Sequence, residues 1–299
     1  MKYYHFTINT GWGDTFWHLT HAIKHCIDYD KYLLIDFRGH WAGKKDSNMA
    51  NNYIDRIEST NLKYTFCKSL IDRKKDVAEK HKDVFPKMDT SLKTDKDKLQ
   101  FFNLFSKICF HCDINNDLEK YNNIFSYNYV IGVHARTSNG ELLVDNGNQS
   151  NRFHDGGFSV EDMADMYKES IRNIFFHPKK GFLNKYFNYE ILVFSDSERF
   201  VNSFIQDNSV GFKNHCSKTR RFFPAAGCGT GHEKGEKSDD HSEDLLRKHG
   251  MYDIAKEALV DFILLQRCNF LFKNYSRFNE FAIYSGIPHV HMKFQQKCY

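Results

Sequence analysis

Short apolar runs separated by polar turns recur along this chain. Tyr3 to Ile8 alternates aromatic and polar residues and predicts a strand. Asn9-Thr10-Gly11-Trp12-Gly13-Asp14 predicts a turn, Thr15 to about Ile27 an apolar-periodic helix, and Tyr32 to Asp36 a second short strand. Runs of that length bounded by turn residues match strands buried in a parallel sheet. Strand, glycine turn, helix and strand within about forty residues is the pattern of a βαβ unit.

The rhythm returns in the second half. Tyr129 to Val133 predicts a strand running into His134, Ala135 and Arg136, then a polar turn from Thr137 to Gly140. Ser159 to Phe176 predicts an amphipathic helix with Ser159 placed as its cap. Glu190 to Phe194 predicts a strand, and Ser195-Asp196-Ser197-Glu198 the cap of a further helix. Ala255 to Cys268 reads as an apolar helix lying on the sheet, Asn269 to Phe272 as a last strand, and Ser276 to Ser285 as a last helix. Lys213 to Asp244 reads as a glycine-, lysine- and serine-rich loop. Residues 37 to 127 are less regular: Asp72 to Lys98 predicts solvated helices and loops, and Leu99 to Cys112 carries a helix-like apolar pattern. The fold class expected is α/β with two doubly wound domains, 1–125 and 126–299.

Composition narrows the function. With 41% hydrophobic and 16% aromatic residues, the 299-residue chain has material for two packed cores. No apolar run approaches the ~20 residues of a membrane span, and the N-terminus lacks a continuous apolar stretch with a cleavage site. The expectation is a cytoplasmic protein with no membrane span. A net charge of +4, without a basic stripe interleaved with aromatics, argues against nucleic acid as a partner and fits an anionic small substrate. Eight irregularly spaced cysteines fit reduced, buried thiols. Cys109-Phe110-His111-Cys112 has zinc-like spacing but lacks a second pair. Asp95-Lys96-Asp97 has the spacing that metal-dependent sugar transferases use, yet it lies in a charge run of the solvated kind. No metal site is expected.

Polar groups gather at three strand-to-helix junctions: His134 with Arg136, Ser195 with Asp196, and Asn274, Tyr275, Ser276 and Arg277. In a parallel sheet these share one edge, the edge where open α/β folds bind ligands. An arginine there gives a planar, permanently charged fork to a phosphate. Gly11 and Gly13 let the backbone approach a ligand, with a helix N-terminus beyond them that favours an anion. The set suits a nucleotide diphosphate, with Asp261 and His134 able to hydrogen-bond a base or ribose.

These segments resemble the rhizobial nodulation α1,6-fucosyltransferases (glycosyltransferase family 23-like). The run GWGDTFWHLTHAIKHCIDYDKYLLIDFRGHW is similar to their opening, with a Gly-x-Gly-Asp turn and a strand ending in Asp-x-Arg-Gly. IGVHARTSNGE is similar to their His-x-Arg segment, VFSDSERF to their third motif, and ALVDFILLQRCNFLFKNYSRFNEFA to their last. The four occur in order. Distantly, the same segments are similar to eukaryotic α1,6- and α1,2-fucosyltransferases. Residues 42 to 127 and 213 to 250 match little.

The resemblance implies a GT-B-type fold, two Rossmann-like domains facing across a cleft, with the acceptor side in 1–125 and the nucleotide-sugar donor side in 126–299. It implies an inverting, metal-independent transfer of fucose from GDP-fucose to a glycan hydroxyl, with no cofactor beyond the donor. Arg136 would hold the β-phosphate, His134 and Asp261 would contact guanosine, Ser195 and Asp196 would line the donor site, and Ser276 would bond phosphate. Gly11, Trp12, Gly13, Tyr275 and Arg277 complete the expected donor set. For the base that deprotonates the acceptor, Glu141 is the first candidate and Asp145 the second; the eukaryotic relatives place a Glu where this chain has Val144. Arg277 and Ser197 also depart from those relatives. They keep open a transferase using another GDP-sugar, or a catalytically silent GDP-sugar or glycan-binding protein.

Overall fold

The computed structural model describes residues 2–38, 40, 48–67, 79–136, 160–176, 188–195, 198–205, 218–221, 251–274 and 276–292. The chain divides into two compact units. The first comprises Met1–Glu119, Ala226–Val260 and Tyr284–Gly286; the second comprises Lys120–Ala225, Asp261–Ile283 and Ile287–Tyr299.

In the first unit, β1 (Tyr3–Phe6), β2 (Tyr32–Ile35), β4 (Lys63–Phe66) and β5 (Glu79–Lys80) form a parallel sheet in the order β4-β2-β1-β5. Helix α1 (Trp12–Asp28) buries Phe16, Leu19, Ala22, Ile23 and Cys26, the i, i+3, i+4 stripe that fixes its inner face. It starts three residues before the expected Thr15. Gly11 is the extended N-cap, and Trp12 and Gly13 are buried in the first helical turn rather than in a turn. Trp12 explains the early start: its ring packs on Phe16, Phe37 and Tyr53, and its indole N–H donates to the Ala255 carbonyl at 2.8 Å.

The region expected to be irregular holds more structure than its charge pattern implies. β3 (Ile54–Ile57) pairs antiparallel with β6 (Ile108–Phe110). Between β5 and β6 lie α2 (His81–Val84) and α3 (Asp95–Phe105). Thr94 caps α3 in a reciprocal box: the Asp97 N–H donates to Thr94 Oγ1, and the Thr94 N–H to Asp97 Oδ2. Asp95 pairs with Lys98 on the exposed face. These two carboxylates therefore serve the start of a helix.

The helix expected through Cys112 ends at Phe105. Cys109 lies in β6, and Cys112 opens α4 (Cys112–Glu119). Cys112 is exposed and Cys109 partly so, which corrects the expectation of buried thiols; Cys26, Cys67 and Cys268 are buried, and all five are unbridged. A pocket of about 430 Å³ on this ribbon is lined by Asp55, Arg56, Cys109, His111 and their neighbours.

The second unit opens with α5 (Asn122–Tyr127) and β7 (Tyr129–Ala135). There follow α6 (Val160–Ile171) with a π-helical turn at Arg172–Phe176, β8 (Tyr189–Ser195), α7 (Glu198–Ile205) and β9 (Lys218–Arg221). Last come α8 (Met251–Leu265), which the division between units crosses, then β10 (Phe270–Lys273), α9 (Arg277–Tyr284) and β11 (His289–His291). The five strands are parallel in the order β11-β10-β7-β8-β9. β9 falls inside the stretch expected to be loop. Among the described strands it lies at the end of the sheet.

Ile131, Val133, Tyr167, Ile191, Phe200 and Phe272 share one buried cluster around this sheet. Gly132 faces the opposite side of the sheet, where Cys268 and Leu271 leave no room for a side chain. A Cβ there would meet Cys268 Sγ at 2.8 Å and Leu271 Cδ1 at 3.1 Å. Among the described residues, no helix is long and apolar enough to cross a membrane.

Candidate functional site

From β7 the second sheet grows through β8 and β9 on one side and through β10 and β11 on the other. The order reverses between β7 and β10, and the crevice beyond the carboxyl ends of two such strands is the binding position of doubly wound folds. His134 and Arg136 stand at the end of β7; Lys273, Asn274, Ser276 and Arg277 stand at the end of β10 and the start of α9. Ser195, buried, ends β8 in register with Ala135. The structure thus brings His134, Arg136, Ser195, Ser276 and Arg277 to one edge, as the spacing predicted. Asp261 is buried in α8 of the same unit. Glu141, Asp145, Asp196 and Tyr275 lie outside the described residues.

Asparagines clip the two central strands together. At the amino end, the Val130 N–H donates to Asn269 Oδ1 at 2.7 Å and the Asn269 N–H to the Val130 carbonyl at 2.8 Å. At the carboxyl end, Asn274 Oδ1 accepts from the Arg136 N–H at 2.9 Å, and its Nδ2 donates to the Arg136 carbonyl at 2.8 Å. This second clip continues the ladder past the last paired residues and holds the Arg136 main chain at the reversal point. Sequence reading placed Asn274 at the junction without seeing this role.

His134 is held from several directions. The Tyr167 hydroxyl donates to its carbonyl at 2.9 Å; burial pushes that phenol well above its ordinary range, so it remains a donor. The imidazole stacks on Phe278, with centroids 5.4 Å apart and an interplanar angle of 18°. Asn279 Nδ2 lies 2.8 Å from His134 Nδ1. Beside it, buried Lys273 pairs with Glu280 at 2.8 Å. Tyr167, Lys273, Phe278 and Asn279 escaped sequence reading because only strand register and the seating of α6 and α9 bring them to the motif.

Ser276 is the N-cap of α9: its Oγ accepts from the Phe278 N–H at 3.2 Å. A hydroxyl that accepts one bond still carries a proton to donate, here beside a helix N-terminus that favours anions.

The first unit carries its own polar edge. Arg38 holds Asp36 with both ends of its fork, Nε to Oδ1 at 2.8 Å and Nη2 to Oδ2 at 2.9 Å, and Nη2 reaches Cys67 Sγ at 2.8 Å. His5 Nε2 sits 3.1 Å from Asp36 Oδ2. Burial alone would raise the Asp36 carboxyl, but the His5 and Arg38 hydrogen bonds outweigh it and hold it well below the usual carboxylate range. His5, Asp36 and Cys67 are close enough to share a cation, yet the Arg38 fork already neutralises the carboxylate.

Near Gly11, Thr15 donates to the Thr10 carbonyl and accepts from His40 Nε2 at 2.9 Å. Burial lowers the His40 imidazole to about 4. Among the described residues, nothing lies within 4 Å of where a Gly11 Cβ would stand. Trp12, expected in the donor set, is committed to packing.

No protein-family model and no curated protein sequence matches the chain. Solved structures do. The fucosyltransferase NodZ from Bradyrhizobium aligns with a TM-score of 0.57 at 14% identity, over 100% of this chain and 97% of that one. NodZ α1,6-fucosyltransferase soaked with GDP-fucose gives 0.57 at 15% identity, over 97% and 94% of the two chains. A mutant of Arabidopsis thaliana FUT1 in complex with GDP gives 0.51 at 12% identity, over 95% and 68%. The likeness is one of fold: each unit carries a parallel sheet with helices, and the neighbours are GT-B-type fucosyltransferases.

Proposed function

We propose that the chain is an inverting, metal-independent glycosyltransferase that moves fucose from GDP-fucose to a hydroxyl of a glycan acceptor. The observation that carries the reading is the Asn274 clip, which fixes Arg136 at the reversal point of the second sheet. The fold shared with fucosyltransferases solved with GDP or GDP-fucose supports it.

The acceptor oxygen attacks C1 of fucose as the bond from C1 to the β-phosphate oxygen breaks, and GDP departs with the bonding pair. Charge grows on the diphosphate during this step, so donors fixed there favour the transition state over the ground state. Arg136 supplies a guanidinium fork; Ser276 and the α9 N-terminus supply a hydroxyl and main-chain N–H groups. His134 and Asp261 contact the guanosine, with Ser195 and Asp196 lining the donor side. Glu141, or else Asp145, takes the acceptor proton. Residues 1–125 form the acceptor side and 126–299 the donor side.

Titration calorimetry of the protein with GDP, UDP, ADP and CMP, followed by GDP release from GDP-fucose over a glycan panel, tests this reading. GDP alone should bind, and transfer should persist in EDTA. Preference for another nucleotide removes the donor assignment, and GDP binding without turnover on any acceptor converts the protein to a silent binder.

A further inference from the structure

The buried carboxamide of Asn279 supports a step beyond that reading, although the ligand it serves rests on the reading. Asn279 is fully buried on the inner face of α9. Its Nδ2 is 3.1 Å from the Asn274 carbonyl and 2.8 Å from His134 Nδ1. A carbonyl oxygen only accepts, so the group facing it is the NH₂ and the amide cannot be turned over. His134 Nδ1 must then be the lone-pair nitrogen, which places the ring proton on Nε2.

A second observation points the same way. Asn279 Oδ1 is buried and, among the described residues, has no hydrogen-bond partner. A desolvated acceptor left unpaired costs more than an ordinary hydrogen bond returns. An apolar side chain of similar size would remove that cost if packing were the only task. The two donated bonds, to the chain at Asn274 and to the ring of His134, are what such a residue would lose.

We propose that Asn279 is a positioning residue that locks His134 in the neutral Nε2–H form, so that the ring offers a hydrogen-bond donor to the GDP moiety at this edge. The clip through Asn274 and this lock share a residue: Asn274 grips Arg136 with its side chain and receives Asn279 with its main-chain carbonyl. One asparagine thus sets where the arginine main chain lies, and the other sets which nitrogen of the histidine bears hydrogen.

Long-range ¹H–¹⁵N spectra of the full chain, with the His134 ring assigned by difference from His134→Gln, read the tautomer directly. The expected result is a protonated Nε2 and an unprotonated Nδ1 at neutral pH; a protonated Nδ1 overturns the proposal. Asn279→Asp then replaces the donor with an acceptor of the same shape. It should move the proton to Nδ1 and raise the GDP Kd at least tenfold, with a matching rise in donor KM and a smaller change in kcat. Asn279→Ala should release the tautomer preference and weaken GDP less than Asn279→Asp does. An altered melting temperature with unchanged tautomer and unchanged GDP affinity in both variants reduces Asn279 to a packing residue and overturns the proposal. If the unsubstituted protein binds no GDP, the transferase reading and the ligand role of Asn279 fall together, while the tautomer spectrum still decides the lock.

Discussion

At the carboxyl edge of the first sheet, side chains are matched to side chains. Arg38 grips Asp36 and Cys67, His5 meets Asp36, and the Tyr4 hydroxyl meets His81 Nδ1 at 2.7 Å, while His81 Nε2 meets His18 Nδ1 at 3.0 Å. At the carboxyl edge of the second sheet, Lys273 pairs with Glu280 and Asn279 meets the His134 ring, but side chains also grip main chain: Asn274 binds the Arg136 peptide and Tyr167 the His134 carbonyl. A charge paired with a charge inside the protein serves the fold, because removing either partner strands the other. A main-chain grip leaves side-chain chemistry to be assigned by position. The difference teaches that charged residues at a sheet edge mark function only when their partners are examined; Asp36 and Arg38 form as conspicuous a motif as His134 and Arg136.

The largest effect expected is on stability in the first unit: Asp36→Ala leaves the Arg38 guanidinium buried and unmatched, at a cost of ~3–5 kcal/mol in urea denaturation. GDP affinity of the folded fraction should not change. A pH series sharpens the same side. Burial holds His40 at about 4; burial first, and then the neighbouring His18 and His21, hold His81 at about 3, both below the ordinary 6.5. Their neutral forms contribute stability that is complete above 6.5 and is lost as pH falls from 6.5 towards those values, where only the unfolded chain takes up the protons. At a slope that approaches ~1.4 kcal/mol per group per pH unit only below 6.5, denaturation free energy should drop by about 3 kcal/mol between pH 6.5 and 5.

On the other side, Arg136→Ala should cut turnover at least ~100-fold, equivalent to ~2.7 kcal/mol of transition-state stabilisation. Its loss of stability in urea should be smaller than that of Asp36→Ala. A large stability loss in that variant would erase the distinction between the edges. The smallest effect probes the interior behind the motif. Gly132→Ala drives a methyl against Cys268 Sγ, 2.8 Å away, and should cost ~1–3 kcal/mol by overpacking, with GDP affinity of the folded fraction unchanged.

Much of this arrangement could be read from residue order alone. The apolar runs at Tyr32 and Tyr129 mark central strands because both faces of a parallel strand are buried, so the signal is continuous. The polar junctions after β7, β8 and β10 were visible for the same reason: each apolar run stops at them. Short strands were not. β5 is Glu79-Lys80 and β9 is Lys-Thr-Arg-Arg, charged edge strands whose pairing depends on a neighbour rather than on their own composition. The packing of Trp12 was not legible either, because its hydrogen-bond partner, Ala255, lies 243 positions away in sequence. Asn279 was hidden by helical periodicity; nothing local distinguishes an asparagine facing a strand end from one facing water.

The paired asparagines at either end of β10 make the strand a measured span. Asn269 and Asn274 each hook the main chain of β7, at Val130 and Arg136, with the four residues of β10 between them. Side chains inside that span can be exchanged for others of similar bulk, but adding or deleting one residue would unhook an end. Lineages carrying this fold should therefore drift in letters here and keep the count.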